Sequence, residues 1–190
     1  VRQSILEGSS VIKIGTSTGH GQSAWGEVPT YSVPEVEVIV HEAHAQGLRV
    51  AAHAMGTPGV RSAVLGGVDT VEHAYNIDDD TLELIIERGT FLVPTLRARA
   101  SRTSAEDRRT YKAQVRSLRQ AYDAGARIAL GTDTTGGSEM PHGHENAVEF
   151  SLMAETMNPA DALLAGTQVA AQALGLESEV GTVEPGKAAD

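Results

Sequence analysis

The chain has 190 residues, enough for one domain with a substantial core, and it is 41% hydrophobic and 21% charged, as in an ordinary globular protein. Fifteen basic and 25 acidic residues give a formal charge of −10, which argues against a nucleic-acid partner because phosphates need a basic surface. No apolar run reaches about 18 residues, so no membrane-spanning segment is predicted. The absence of cysteine excludes disulfides and thiolate metal sites and is compatible with the cytoplasm.

One basic cluster departs from the acidic balance. It lies among Ser, Thr, Glu and Asp, so a solvated loop followed by the start of a helix is predicted. Its members are Arg97, Arg99, Arg102, Arg108 and Arg109. A homo-oligomer is compatible with the sequence, but no feature specifies one.

Strand-like and helix-like patterns alternate along the chain. Short β-branched and apolar runs predict five strands, at residues 11–14, 48–53, 68–73, 90–95 and 127–133. Helical patterns fill the intervals, at residues 32–47, 78–88, 104–124, 145–157 and 159–174. Repeated strand–helix units predict an α/β fold in which helical crossovers connect parallel strands.

A polar residue stands at or near the end of four of these strands: Lys13, His53, His73 and Asp133. The carboxyl ends of parallel strands share one edge, so the four side chains are expected to converge there. Singly, each has an ordinary structural explanation: a histidine at the rim, or an aspartate in a helix-capping turn. Lys13 is more informative, because an unpaired ammonium is costly to bury within an apolar strand.

Two chemistries suit a lysine in this position. It can form a Schiff base with a carbonyl substrate, or take up carbon dioxide and become an anionic carbamate. A carbamate offers two oxygen ligands, and two histidines with an aspartate complete a nitrogen and oxygen site suited to zinc or a similar divalent ion. The neighbours therefore favour a metal site, whereas a Schiff base needs no such set.

The stretches 12–14, 52–54, 71–74 and 131–133 resemble, in residue type and order, the motifs of the amidohydrolase superfamily. Residues 42–53, 92–96, 142–143 and 174–190 look most like its metal-dependent dipeptidases, which act on Xaa-Pro, Xaa-Arg or Xaa-Lys substrates. The resemblance implies a hydrolase of C–N bonds in small molecules, either dipeptides or N-acyl amino acids.

The resemblance also implies a (β/α)8 barrel. Residues 1–176 would form roughly its strands 4 to 8, and residues 177–190 would begin the return to a small β-domain that is cut short. The family's His-x-His pair on its first strand has no counterpart before Lys13, and His142-Gly143-His144 follows Asp133. We therefore expect about three strands to precede this C-terminal part of the barrel. A catalytically incompetent fragment is accordingly one alternative, and a lyase using Lys13 as a Schiff base is another.

Residue roles follow from the resemblance. Lys13, as the carbamate, would bridge two divalent ions, expected to be zinc, and His53 and His73 would hold the more exposed ion. Asp133 would bind the other ion and act as general base toward the bridging hydroxide. Tyr75 resembles a position that contacts the substrate carboxylate, with helix packing as its alternative, and His142 is expected to line the pocket. His20 and Trp25, in the long loop after Lys13, are candidates to cover the site.

Overall fold

The computed structural model describes residues 1–17, 28–134, 136 and 141–188, without the side chain of His144. His20 and Trp25 lie outside the described residues. Four parallel strands form one sheet in chain order, and they are β1 (Val11–Gly15), β2 (Arg49–Ala54), β3 (Thr70–His73) and β4 (Phe91–Val93). The predicted α/β fold with a parallel sheet is confirmed, whereas closure of a barrel stays a prediction.

The predicted fifth strand is reduced to a single parallel bridge between Leu92 and Ile128. The N–H of Ala129 donates to the Leu92 carbonyl at 2.8 Å, but the next N–H, of Leu130, donates to Ala165 at 2.9 Å. The pairing does not continue past Pro94, which has no N–H to donate to the carbonyl of Ala129. The chain still runs beside β4 at this point, so Asp133 follows the same edge as the other strand ends.

Helices separate the strands. They are α1 (Arg2–Leu6), α2 (Val33–His44), α3 (Gly56–Leu65), α4 (Asp79–Arg88), α5 (Arg97–Ala100), α6 (Ala105–Asp123), α7 (Val148–Ala154), α8 (Pro159–Ala165) and α9 (Gln168–Leu174). The predicted helix at residues 145–157 is divided into a 3₁₀ turn at His144–Ala147 followed by α7, and the one at residues 159–174 is divided into α8 and α9. Among the residues described, no helix has the length and apolar character needed to cross a membrane.

Local sequence explains several of these boundaries. The carboxylate of Glu35 accepts the backbone N–H of Ser32 at 2.8 Å, as the predicted start of α2 requires. Asp78 accepts the N–H of Thr81 at 2.9 Å and begins α4, and Gly89 ends it in the left-handed conformation at φ 66°. The sequence pattern missed α3 because glycine and proline near its start argue against a helix.

The two faces of the sheet differ. Val50, Ala52, Ala54 and Val71 point to one face and are fully buried in the main core, where α2 and α3 pack on β2. Lys13, His53 and Glu72, of opposite parity, face the other side and keep partial solvent access. This alternation leaves one face of the sheet for packing and the other for polar groups.

The arginine cluster is not uniformly solvated. Arg97 is 7% exposed and its guanidinium donates to Glu145 at 3.0 Å, and Arg99 pairs with Asp107 at 3.0 Å. The prediction of a solvated loop is therefore wrong for Arg97 and Arg99. The predicted boundary at residue 176 follows the end of α9, but a return to a second domain stays a prediction.

Candidate active site

Strand register brings the predicted residues to one region of the sheet. Lys13 pairs with Ala51, two residues before His53, and His53 pairs with Glu72. Residues in register across parallel strands point to the same face, so Lys13, His53 and Glu72 share the partly open face. The expected convergence is seen for this part of the set.

Lys13 forms an ion pair with Glu72. The Lys13 side chain is 51% exposed and that of Glu72 is 13% exposed, so the expected cost of a buried, unpaired ammonium does not arise. The sequence pattern did not single out Glu72 as a functional residue. The available signal was a carboxylate within the apolar run of β3, on the face that His53 occupies.

The environment of Glu72 disfavours its charge. Burial raises the pKa of the Glu72 carboxyl, while the Lys13 ammonium and the hydroxyl of Thr70, 2.5 Å away, oppose the rise. The negative charge of Asp133 adds to the rise in this pKa. Asp133, which follows the bridge at Ile128, is therefore close enough to influence Glu72 in β3 electrostatically.

His53 and His73 face each other directly. Their ring centroids are 4.6 Å apart at an interplanar angle of 72°, and Nδ1 of His53 lies 2.9 Å from Nε2 of His73. The second ring nitrogen of His73, Nδ1, lies 2.7 Å from Oγ1 of Thr95. The Thr95 hydroxyl lies 2.8 Å from the Pro94 carbonyl. If it donates its one proton there, it accepts from Nδ1 of His73, and Nε2 of His73 is the unprotonated nitrogen that faces His53.

The backbone conformation of His73 turns its side chain toward His53. His73 directly follows Glu72, so regular alternation would place its side chain on the opposite face of the sheet. Its φ of 75° breaks the alternation. Among the described residues, Ala74, Asn76, Thr95 and Asp133 also adopt positive φ, between 39° and 56°, although none is glycine. All five residues follow or end strands, and such strained conformations cluster where function requires them.

The remaining predicted site residues have different surroundings. Tyr75 is 3% exposed and packs with Met55 and Ala113, as the helix-packing alternative describes. His142 is exposed and lies beside Gly136, where a Cβ atom would come within 2.7 Å of its Nε2. Asp133 is exposed and in the left-handed region, with φ of 51°. Substrate contact by Tyr75 and His142 stays a prediction.

The facing imidazoles provide the part of the site that fits a divalent metal. Tetrahedral zinc with Zn–N bonds of about 2.0–2.1 Å sets its ligand nitrogens roughly 3.3 Å apart. The two nitrogens here are 2.9 Å apart, so a small outward movement would admit an ion. Within the described ranges, no group of three or more His, Asp or Glu side chains is arranged to hold a metal. Lys13 would add oxygen ligands only as its carbamate.

Comparison with known proteins gives the class of this fold and site. The model of the amidohydrolase family matches residues 3–190, and the chain belongs to that family. The ochratoxinase of Aspergillus niger is 31% identical over the whole of this chain, which covers 42% of that protein. The family inferred from the motifs is thereby confirmed.

Solved structures agree in fold. A Xaa-Pro dipeptidase with bound methionine superposes with a TM-score of 0.86 at 31% identity, and this chain covers 49% of it. A putative prolidase from Bifidobacterium longum gives a TM-score of 0.82, also at 31% identity, with 50% covered. Both are consistent with the dipeptidase-like branch. The chain therefore spans about half the length of these relatives or less.

Proposed function

We propose that the protein containing this chain hydrolyses amide C–N bonds in small molecules, either dipeptides or N-acyl amino acids. The observation that carries the proposal is the His53–His73 pair, whose facing nitrogens lie 2.9 Å apart beside the Lys13–Glu72 ion pair. Related structures include a Xaa-Pro dipeptidase and a putative prolidase, and an ochratoxinase is a sequence relative. These names support an amide substrate class.

The proposed metal ligands are His53, His73, Asp133 and the carbamate of Lys13, with zinc as the expected metal and two ions in the complete site. A bound divalent ion would polarise a scissile carbonyl and lower the pKa of water toward about 7. The donor set suits this role because imidazole and carboxylate are good zinc ligands.

In the tautomer inferred for His73, Nε2 is unprotonated and can bind a metal directly. Nδ1 of His53, 2.9 Å away, is then the donor of the hydrogen bond between the two rings. His53 can bind a metal through its own Nε2 in that tautomer, or through Nδ1 once the proton moves to Nε2.

Lys13 must leave its ion pair to serve as proposed. Carbamate formation consumes a neutral amine, and the product is an anion beside the Glu72 carboxylate. Glu72 then has to turn away or bind a proton, which its burial favours. A Schiff base would also require the neutral amine, but it gives no joint role to His53 and His73. The hydrolase is therefore the function that we propose.

Asp133 is the proposed general base. Its exposed carboxylate lies at the strand-end edge, and its backbone conformation, with φ of 51°, is one that aspartate adopts more readily than most residues. It would accept a proton from the attacking water and pass it to the leaving amine. Tyr75 and His142 are proposed to contact the substrate, a role tested by an increase in KM for Tyr75→Phe and His142→Ala.

A hydrolysis assay tests the proposal. The chain, and a form extended upstream, would be purified with bicarbonate and loaded with zinc, manganese or cobalt. Each would be assayed for amine release from Xaa-Pro, Xaa-Arg and Xaa-Lys dipeptides and from N-acetyl amino acids. Asp133→Asn is expected to lower kcat by about 100- to 10,000-fold, whereas His41→Ala, at an exposed position of α2, should leave it unchanged.

The two forms separate the alternatives. Activity in the extended form alone would show that this chain is incompetent by itself. Absence of hydrolysis in both metal-loaded forms would contradict the proposed function. Borohydride trapping of a carbonyl substrate on Lys13, insensitive to chelators, would support the lyase instead.

A further inference from the structure

Glu149 is a carboxylate with no solvent exposure that lies outside the predicted site. It projects from α7, and its two oxygens accept the backbone N–H groups of Leu96 and Arg97, each at 2.7 Å. Both N–H groups belong to the segment that leaves β4 and begins α5. Paired, charge-assisted hydrogen bonds of this kind fix the orientation of two successive peptide groups.

The residue just before these peptide groups is Thr95. It is 2% exposed and has φ of 50°, a conformation that a β-branched residue rarely adopts without support from its surroundings. Glu149 supplies that support from the C-terminal side, because it holds the two N–H groups that follow. On the other side, the Thr95 hydroxyl donates to the Pro94 carbonyl.

Thr95 in turn contacts His73. Its Oγ1 lies 2.7 Å from Nδ1 of His73, and with the hydroxyl donating to Pro94 this contact places the proton on Nδ1 and directs the lone pair of Nε2 toward His53. A hydrogen bond to the second nitrogen of a ligating histidine sets its tautomer and ring orientation, and losing such a partner weakens metal binding. The contacts therefore run from Glu149, through the backbone after Thr95, to the nitrogen proposed to bind metal.

We propose that Glu149 and Thr95 are positioning residues that hold His73 in the tautomer and orientation required for metal binding. The inference rests on the proposed function in so far as His73 is a metal ligand. The imposed tautomer, however, is a property of the metal-free chain. It can be measured independently of any activity.

The first readout is the tautomer of His73 in the metal-free, ¹⁵N-labelled chain. Long-range ¹H–¹⁵N correlation spectra measure it. In the wild type, Nδ1 should be protonated and Nε2 unprotonated. Thr95→Val should abolish this state and give a mixture of tautomers, and Thr95→Ser, which keeps the hydroxyl, should restore it. Glu149→Gln should also give a mixture although Glu149 does not contact His73, because the amide NH₂ would meet one of the two N–H groups.

The second readout is zinc affinity. Thr95→Val and Glu149→Gln are each expected to weaken zinc binding by about 10- to 100-fold. The control Glu155→Gln makes the same chemical change at an exposed position just beyond α7 and should alter neither readout. Circular dichroism of each variant establishes that it is folded.

The outcomes distinguish the two proposals. If the wild type shows the expected tautomer but neither this chain nor the form extended upstream binds zinc, the proposed function fails and the positioning role stands. A wild-type tautomer of His73 in folded Thr95→Val or Glu149→Gln would overturn the role of the altered residue. A Glu149→Gln chain that does not fold would overturn the assignment of Glu149 to positioning, since its contribution would then be to global stability. The comparison of Thr95→Val with Thr95→Ser would still decide the positioning role of Thr95.

Discussion

The buried carboxyl of Glu149 predicts a specific dependence of stability on pH. Burial raises its pKa from 4.5 to about 7, against the opposing influence of the N–H groups of Arg97 and Leu96 and of the Arg97 charge. The folded chain therefore binds a proton at this position more tightly than the unfolded chain does. In Glu149→Gln this titration is absent.

The sign and size follow from linkage. Between pH 4.5 and pH about 7 the folded state holds more protons at Glu149 than the unfolded state, so the free energy of unfolding falls as pH rises. The difference between these two pKa values corresponds to about 3 kcal/mol, at roughly 1.4 kcal/mol for each pH unit. Below the lower value both states are protonated, and above the higher one both are ionised, so the contribution is constant outside this window.

Urea unfolding of the metal-free chain at half-unit intervals from pH 4 to 8 measures the effect. The stability of Glu149→Gln relative to wild type should rise by about 3 kcal/mol across the window, because the variant lacks the destabilising ionisation. Glu155→Gln, at an exposed position, should track the wild type. Parallel pH profiles for Glu149→Gln and wild type would refute the reasoning.

Two further predictions concern the scaffold. Asp69 accepts hydrogen bonds from the N–H of Val50 and from Arg49 and His44; burial opposes ionisation of its carboxyl, yet these donors hold its pKa below the ordinary 3.8. Asp69→Asn should lower the free energy of unfolding by about 1–3 kcal/mol at pH 7, and the loss should shrink as pH falls below about 3.8; a loss in urea unfolding that is the same at pH 3 would contradict this. Gly59→Ala would place a Cβ 2.7 Å from that of Ser17. It should reduce the free energy of unfolding by about 1–3 kcal/mol and so lower the midpoint of thermal unfolding. The control is Gly15→Ala, where the nearest atom is 4.0 Å away, and equal midpoints in the two variants would contradict the packing argument.

Strand-end reasoning predicted from sequence that Lys13 and His53 would lie near each other. That prediction needed only the shared edge of parallel strands, and the register places both residues on one face of the sheet. Glu72 was missed as the partner of Lys13, because their contact depends on the relative register of β1 and β3 across β2. A single strand pattern does not encode that register.

Other features required the folded backbone. The direction of His73 depends on a φ of 75°, and a sequence pattern indicates no such departure from regular alternation. Glu149 lies more than 50 residues from the peptide groups that it holds, in a short helix whose pattern does not mark it as buried. The fifth strand was overestimated because its apolar run satisfies the pattern, whereas Pro94 in the neighbouring segment has no N–H with which to extend the ladder.

Metal content per chain tests most directly whether this edge of the sheet binds a catalytic divalent metal, as we propose. The wild type, Lys13→Ala, His53→Ala and the control His41→Ala would be purified with bicarbonate and zinc, and their metal measured by elemental analysis. Bound metal should be present in the wild type and in His41→Ala, and lost from the other two variants. The absence of metal from the folded wild type, both as this chain and as the form extended upstream, would contradict the proposed site, and so would metal retained in His53→Ala.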